Sequence, residues 1–258
     1  MRFWRVCIFS ILTFALFALS VQAQRMNSWS KLYEPAVHKE LPYKLMKPIN
    51  FESSKKYPLI ISLHGAGGRG NDNKKQLKDW NKQLTDESIR KQYPAYVLAP
   101  QSKGHWEKEQ FLIIKEIIKA TPSVDMDRIY ILGHSMGGHG TFTIIQIEPK
   151  YFAAAAPSAG AGLRSTKPFI DAKKIKDLPI WAFHGDKDKV CPYEKVRKVF
   201  EDVKALGGNM KLTTWPGANH GVSGKFIPGE ENSKTELSSE KCDKESDFLK
   251  WLFKQKRI

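Results

Sequence analysis

The sequence predicts an α/β protein with a mainly parallel central sheet and helices on both faces. Three observations carry that prediction. Short apolar runs rich in β-branched residues recur along the chain, separated by segments with helical apolar spacing. One run, Ile129–Leu132, breaks into Gly133-His134-Ser135-Met136-Gly137, the pattern of a strand, a tight turn and a helix. Another, Leu59–Leu63, ends in the glycine-rich stretch His64-Gly65-Ala66-Gly67-Gly68-Arg69-Gly70.

Taken in order, residues 1–23 stand apart. Arg2 and Arg5 precede an apolar run from Val6 to Leu19, and Val21-Gln22-Ala23 sets small residues where signal peptidase cuts. We read 1–23 as a secretory signal and 24–258 as one domain, which implies a secreted or periplasmic protein. The run is shorter than the ~20 residues a bilayer span needs, so no stable membrane span is expected after cleavage.

Gln24 to Glu40 reads as a polar lead-in, and Leu41 to Pro48 as an edge strand between prolines. Tyr57–Leu63 is a buried strand, and a polar stretch with helical potential runs through Trp80 and Leu84. Tyr96–Pro100 is the next strand. Phe111 to Ala120 is a helix whose apolar face is Phe111, Ile114 and Ile118, widened by Ile113 and Ile117. After Ile129–Leu132 a helix runs to Ile147 and stops near Pro149. Phe152–Ala156 and Pro179–Gly185 are strands. Tyr193–Leu206 is an amphipathic helix ended by Gly207-Gly208. Met210–Trp215 reads as the last strand, Asp243–Gln255 as the last helix, and the charged segment Glu230–Lys244 as a mobile loop.

The 258 residues are 41% hydrophobic, enough for one sizeable core. The formal charge is +15; without Arg2 and Arg5 it is +13. Such a surface favours anionic substrates or matrices. No nucleic-acid-binding motif accompanies it, so nucleic acid is not an expected partner. Cys7 leaves with the signal, and Cys191 and Cys242 remain as an even pair that an oxidising compartment would join. No Cys-x-x-Cys or His-x-x-x-His spacing points to a metal.

The chemistry starts at Ser135. A hydroxyl is a poor nucleophile until a base takes its proton, and the base needs an acid to hold its tautomer. In hydrolases built on this elbow the chain order is Ser, then acid, then His. Of the seven histidines only His220 follows every candidate acid, in a loop after the last predicted strand. The acid is expected after Pro179–His184, where Asp186 and Asp188 both stand; Asp188 is preferred, with Asp186 as a turn cap. The N–H of Met136 and that of Ala66 or Gly67 are the expected oxyanion donors. His64 would brace the glycine loop from inside. Trp181 and Trp215 read as core, whereas Trp106, in a loop after a strand, is a candidate cleft-lining residue. His134 and His139 are expected to pack or bond locally.

Gly65-x-Gly67-x-x-Gly70 also matches a dinucleotide fingerprint. The segment after Gly70 is polar and lysine-rich, and Ala99-Pro100-Gln101 brings no acid for a ribose, so no cofactor is expected.

With these residues placed, the chain resembles secreted α/β-hydrolase esterases. The nearest likeness is to the branch grouping peptidases with polyhydroxybutyrate-depolymerase-like, feruloyl-esterase-like and dienelactone-hydrolase-like proteins. The carrying segments are Leu63–Gly67, Leu98–Gln101, Asp127–Tyr130, Gly133–Gly138, Trp181–Asp188 and Asn219-His220. The resemblance implies the α/β-hydrolase fold, Ser135 as nucleophile, Asp188 as acid and His220 as base. Cys191 stands where the pattern often has an aliphatic residue. The segment after His220 is polar where relatives often place an aromatic. The expected substrate is a small-molecule or polysaccharide-linked carboxylic ester. A serine peptidase on the same residues, and a catalytically silent carbohydrate- or envelope-binding protein, are the alternatives.

Overall fold

The computed structural model describes residues 29–163, 169–227, 229 and 231–257. The predicted signal, 1–23, lies outside them. Among the described residues nine strands form one sheet in the order β1-β2-β4-β3-β5-β6-β7-β8-β9. The strands are β1 (Tyr33–His38), β2 (Leu41–Met46), β3 (Tyr57–Leu63), β4 (Tyr96–Pro100), β5 (Val124–His134), β6 (Ala154–Ser158), β7 (Ile180–Gly185), β8 (Met210–Trp215) and β9 (Lys234–Leu237). From β4 to β8 neighbouring strands are parallel; β1 and β2 at one side and β9 at the other are antiparallel.

Alternation along the central strands sends side chains to two cores. Leu59, Ile61 and Leu63 of β3, with Ile129 and Ile131 of β5, enter one. Ile60, Tyr130 and Leu132 enter the other. The helices α1 (Asp79–Gln83), α2 (Glu87–Gln92) and α7 (Phe248–Lys254) cover the second face. The first is covered by α3 (Lys108–Ala120), α4 (Met136–Ile147), the short α5 (Ala172–Ile175) and α6 (Tyr193–Ala205). On α3, Phe111, Ile114, Ile117 and Ile118 are buried, the stripe its spacing predicts. This is the predicted α/β-hydrolase architecture.

Two expectations fail for one reason. The lead-in before Glu40 holds β1, so β2 is not an edge strand but pairs on both sides. The segment Glu230–Lys244 holds β9, paired with β8, and Ser238 beyond it bonds the Met210 N–H at 2.8 Å. β1 buries only Tyr33, and β9 buries nothing. Neither writes an apolar pattern into the sequence; both are held by backbone pairing.

Candidate active site

The parallel strands deliver their loops to one edge of the sheet, at their carboxyl ends. There β5 turns into α4 at Ser135, with φ 59° and ψ −120°. That left-handed backbone is costly for a serine and is held by its surroundings. Ser135 N–H donates to the Ser158 carbonyl at 2.9 Å, and His139 N–H donates to the Ser135 carbonyl at 2.9 Å. The flanking glycines have no room for a side chain. A Cβ on Gly133 would sit 2.1 Å from the Gly137 carbonyl oxygen, and one on Gly137 2.0 Å from that of Leu63.

The loops after β7 and β8 bring Asp188 and His220 to the same place. His220 Nε2 lies 2.8 Å from Ser135 Oγ, and Nδ1 lies 2.7 Å from Asp188 Oδ2. A carboxylate only accepts, so Nδ1 carries the hydrogen and Nε2 is left to accept from the serine hydroxyl. The Asp188 side chain is wholly buried. Its Oδ1 accepts the N–H groups of Val190 at 2.8 Å and Cys191 at 2.9 Å. Burial alone would raise its pKa. The bonds from His184, His220 and the Cys191 N–H outweigh burial and hold the carboxyl well below the usual carboxylate range. Asp186 points elsewhere: its Oδ1 accepts the Gly217 N–H at 2.7 Å, the turn-capping role predicted for it.

The loop after β3 lies against the serine. A Cβ on Gly65 would fall 3.3 Å from Ser135 Cβ and 3.8 Å from its Oγ. Gly68 N–H bonds the Gly65 carbonyl and Arg69 N–H bonds that of Ala66, closing a 3₁₀ turn over Ala66–Gly68. The first N–H groups of such a turn, on Ala66 and Gly67, have no acceptor within it, and both residues are exposed. Met136 is the first residue of α4, so its N–H also lacks a helical acceptor. Arg69 Nε donates to Met136 Sδ at 3.3 Å, joining the two sides of the site.

His64 braces this loop as predicted. Its Nδ1–H donates to the Gly65 carbonyl at 2.7 Å and its Nε2 accepts Ser102 N–H at 3.0 Å. Burial pushes it down to about 4, so it is neutral near pH 7. His134 pairs with Ser158 Oγ at 3.2 Å, and His139 lies against Phe169 with ring centres 4.0 Å apart and planes tilted by 31°.

Two site expectations are corrected. Trp106 does not line a cleft: it is 1% exposed, its Nε1–H donates to the His64 carbonyl at 3.0 Å, and its ring packs on Gly140. The indole needed a buried acceptor, and the carbonyl of His64, at the start of the glycine loop, supplies one. Cys191 and Cys242 are separate buried thiols. Cys191 follows the carboxyl end of β7, whereas Cys242 Sγ bonds Met210, the first residue of β8. The two thiols thus stand toward opposite ends of the β7–β8 pair, whose strands run roughly 17 Å, while a disulfide spans only ~7 Å. Burial pushes the Cys191 thiol up to about 12.

Sequence reasoning passed over His184. It lies wholly buried on β7, with Nε2 2.8 Å from the Cys191 carbonyl oxygen and 3.2 Å from Asp188 Oδ2. A histidine inside an apolar strand was the available signal.

Among the described residues, no helix is long and apolar enough to cross a membrane. The profile of the Dienelactone hydrolase family matches residues 101–254, more than half of the chain. A solved thermostable esterase is 32% identical, with a TM-score of 0.68 over 88% of this chain and 63% of that one. Acyl-protein thioesterase 1 of Neurospora crassa is 32% identical over 136 residues, 52% of this chain and 54% of that protein. The uncharacterized peptidase YuxL of Bacillus subtilis is 22% identical over 69% of this chain and 33% of its own length. The chain thus spans about half or less of these two curated relatives.

Proposed function

The chain belongs to the dienelactone hydrolase family, and from that premise we propose that it is a secreted serine hydrolase of carboxylic esters. The observation that carries this reading is His220, bonded at once to Ser135 Oγ at 2.8 Å and Asp188 Oδ2 at 2.7 Å. Ser135 Oγ attacks the ester carbonyl while His220 Nε2 takes its proton. The Met136 N–H and that of Ala66 or Gly67 hold the oxyanion, and Asp188 stabilises the imidazolium. The intermediate collapses, His220 protonates the departing alcohol, and an acyl-Ser135 ester remains. His220 then deprotonates a water, which attacks the acyl carbonyl; as this second intermediate collapses, His220 returns the proton to the departing Ser135 Oγ and the acid is released.

A peptidase using the same residues is the second reading, favoured by the likeness to YuxL. The positive start and apolar run of residues 1–23 support export. The test is turnover of short- and long-chain acyl esters, feruloyl esters, acetylated sugars and a peptide amide by wild type and Ser135→Ala. We expect ester hydrolysis to drop at least ~10³-fold in a folded Ser135→Ala protein. Unchanged ester turnover would remove Ser135 from the mechanism, and preferred release of an amine would move the assignment to peptidase.

A further inference from the structure

We propose that His184 is a positioning residue of this site: its Nε2–H ties down the turn carrying Asp188 and shares Asp188 Oδ2 with His220. The inference rests on reading Ser135, His220 and Asp188 as a hydrolytic triad.

His184 Nε2 faces two oxygens, the Cys191 carbonyl at 2.8 Å and Asp188 Oδ2 at 3.2 Å. Both only accept, so Nε2 carries the hydrogen. Nδ1 is buried with no partner among the described residues. A proton there would be a buried charge without an acceptor. The geometry therefore places the hydrogen on Nε2, and His184 is a fixed donor there.

That donor closes a ring of bonds. His184 Nε2–H holds the Cys191 carbonyl, Cys191 N–H holds Asp188 Oδ1, and Asp188 Oδ2 leans back on His184. With Val190 N–H also on Oδ1, the carboxylate cannot rotate without breaking bonds. His220 Nδ1–H therefore meets an oxygen already in place. Asp188 and Cys191 from its own turn face His184, and His220 from the loop after β8 reaches the same Asp188 oxygen. Tyr193 of α6 has its ring centre 5.9 Å from that of His184, and His134 at the end of β5 interacts with His184 electrostatically. Tyr193 OH is engaged with Thr214 Oγ1 at 2.8 Å.

The His184 N–H, bonded to the Cys191 carbonyl and 3.2 Å from Oδ2, draws on the charge of the oxygen that His220 Nδ1–H bonds. Removing His184 leaves Oδ2 to His220 alone, which favours the imidazolium and moves the acid limb of kcat/KM to higher pH. It also frees the carboxylate to turn, which lowers kcat. A histidine that merely fills the core would do neither.

The test compares His184→Phe, His184→Gln and His184→Asn with wild type on p-nitrophenyl acetate, from about pH 5 to 9. Melting temperature and the downfield proton resonance of the His220–Asp188 bond are measured alongside. His184→Phe should lower kcat about 10-fold with KM nearly unchanged, raise the acid limb by roughly half a pH unit and lose the downfield signal. The glutamine amide reaches as Nε2 does and should restore all three; the shorter asparagine should not. A His184→Phe enzyme that loses only melting temperature would overturn the proposal. If it does not fold, equal behaviour of the Gln and Asn variants would overturn it. Turnover by Ser135→Ala would instead sink the hydrolytic reading, and the proton resonance would still report on His184 without turnover.

Discussion

The His134 ring lies 4.9 Å from the His220 ring, with the planes 44° apart. His134 is thus a wall against which the base of the proposed triad is set, and its own charge matters to that base. Burial, reinforced by His220, pushes His134 down to about 3. It stays neutral and adds no repulsion when His220 takes up a proton.

That neutrality has a cost in acid. His134 and His64 titrate at about 3 and about 4 in the fold, against 6.5 when unperturbed. Between those values the unfolded chain binds more protons than the folded one. Their contribution is complete above pH 6.5 and is lost as pH falls through that window. The lowered Asp188 acts in the same direction, but only below its unfolded value of 3.8. We expect unfolding free energy to drop by a few kcal/mol between pH 7 and pH 4. Urea titrations at both pH values should show a smaller drop in His134→Gln; an equal drop would mean that His134 carries none of it.

Gly137 is the tightest point of the elbow. An added Cβ would lie 2.0 Å from the Leu63 carbonyl oxygen and 2.9 Å from that of His64, both backbone atoms. Gly137→Ala should cost about 3 kcal/mol or more, because β3 itself must move. A Cβ added to Gly104 would meet nothing within 4 Å, so Gly104→Ala should fall within about 0.5 kcal/mol of wild type. Thermal denaturation of the two variants checks the contrast; equal melting temperatures would mean the elbow relaxes freely.

The sequence revealed this site well because its constraints are local. Gly133 and Gly137 mark the elbow within five residues, Asp188 follows the apolar run of β7, and His220 follows β8. What stayed hidden depended on distance or on pairing. The even count of Cys191 and Cys242 carried no information about the length of β8 between them. β1 and β9 have backbone partners but almost no buried side chains. Trp106 looked available because it follows a strand, yet Gly140 on α4 was the counter-signal: a Cβ there would sit 2.4 Å from Trp106 Cβ. His184 was one residue in a run of six buried positions, and only its polarity set it apart.

Lys211 is a cation inside the second core. It is 2% exposed, with Nζ 3.4 Å from the centre of the Trp181 ring and bonded to the Glu245 carbonyl. Burial pushes it down to about 8, against the pull of Asp243, Cys242 and Glu245. A lysine lowered from 10.5 to about 8 is charged in both states below pH 8, where its burial penalty is full. Between about 8 and 10.5 the unfolded chain holds the extra proton, so stability rises with pH there. The shift corresponds to about 3 kcal/mol, and the cation–π contact offsets about 1–2 of it. Lys211→Met should therefore gain about 1–2 kcal/mol at pH 7 and flatten the rise toward alkaline pH. A less stable Lys211→Met protein at pH 7 would show that the aromatic contact outweighs burial.

The two aspartates after β7 are expected to separate the proposed catalysis from folding. Asp188 spends Oδ2 on His220 and Oδ1 on two backbone N–H groups, whereas Asp186 bonds one, that of Gly217. Asp188→Asn keeps the shape of the side chain. Its amide can present a donor to His220 and turn the ring to the wrong tautomer, leaving no acceptor for the Ser135 hydroxyl. In the Ser-His-Asp template that change costs ~10⁴ in kcat. Asp186→Asn keeps an amide oxygen for the Gly217 N–H but gives up the charge, worth about 1 kcal/mol in stability and little in rate. The measurement is kcat for both variants on one activated ester, with melting temperatures beside it. Should Asp186→Asn be the slow enzyme and Asp188→Asn nearly normal, the buried carboxylate beside His220 would be structural, and the acid would lie two residues earlier.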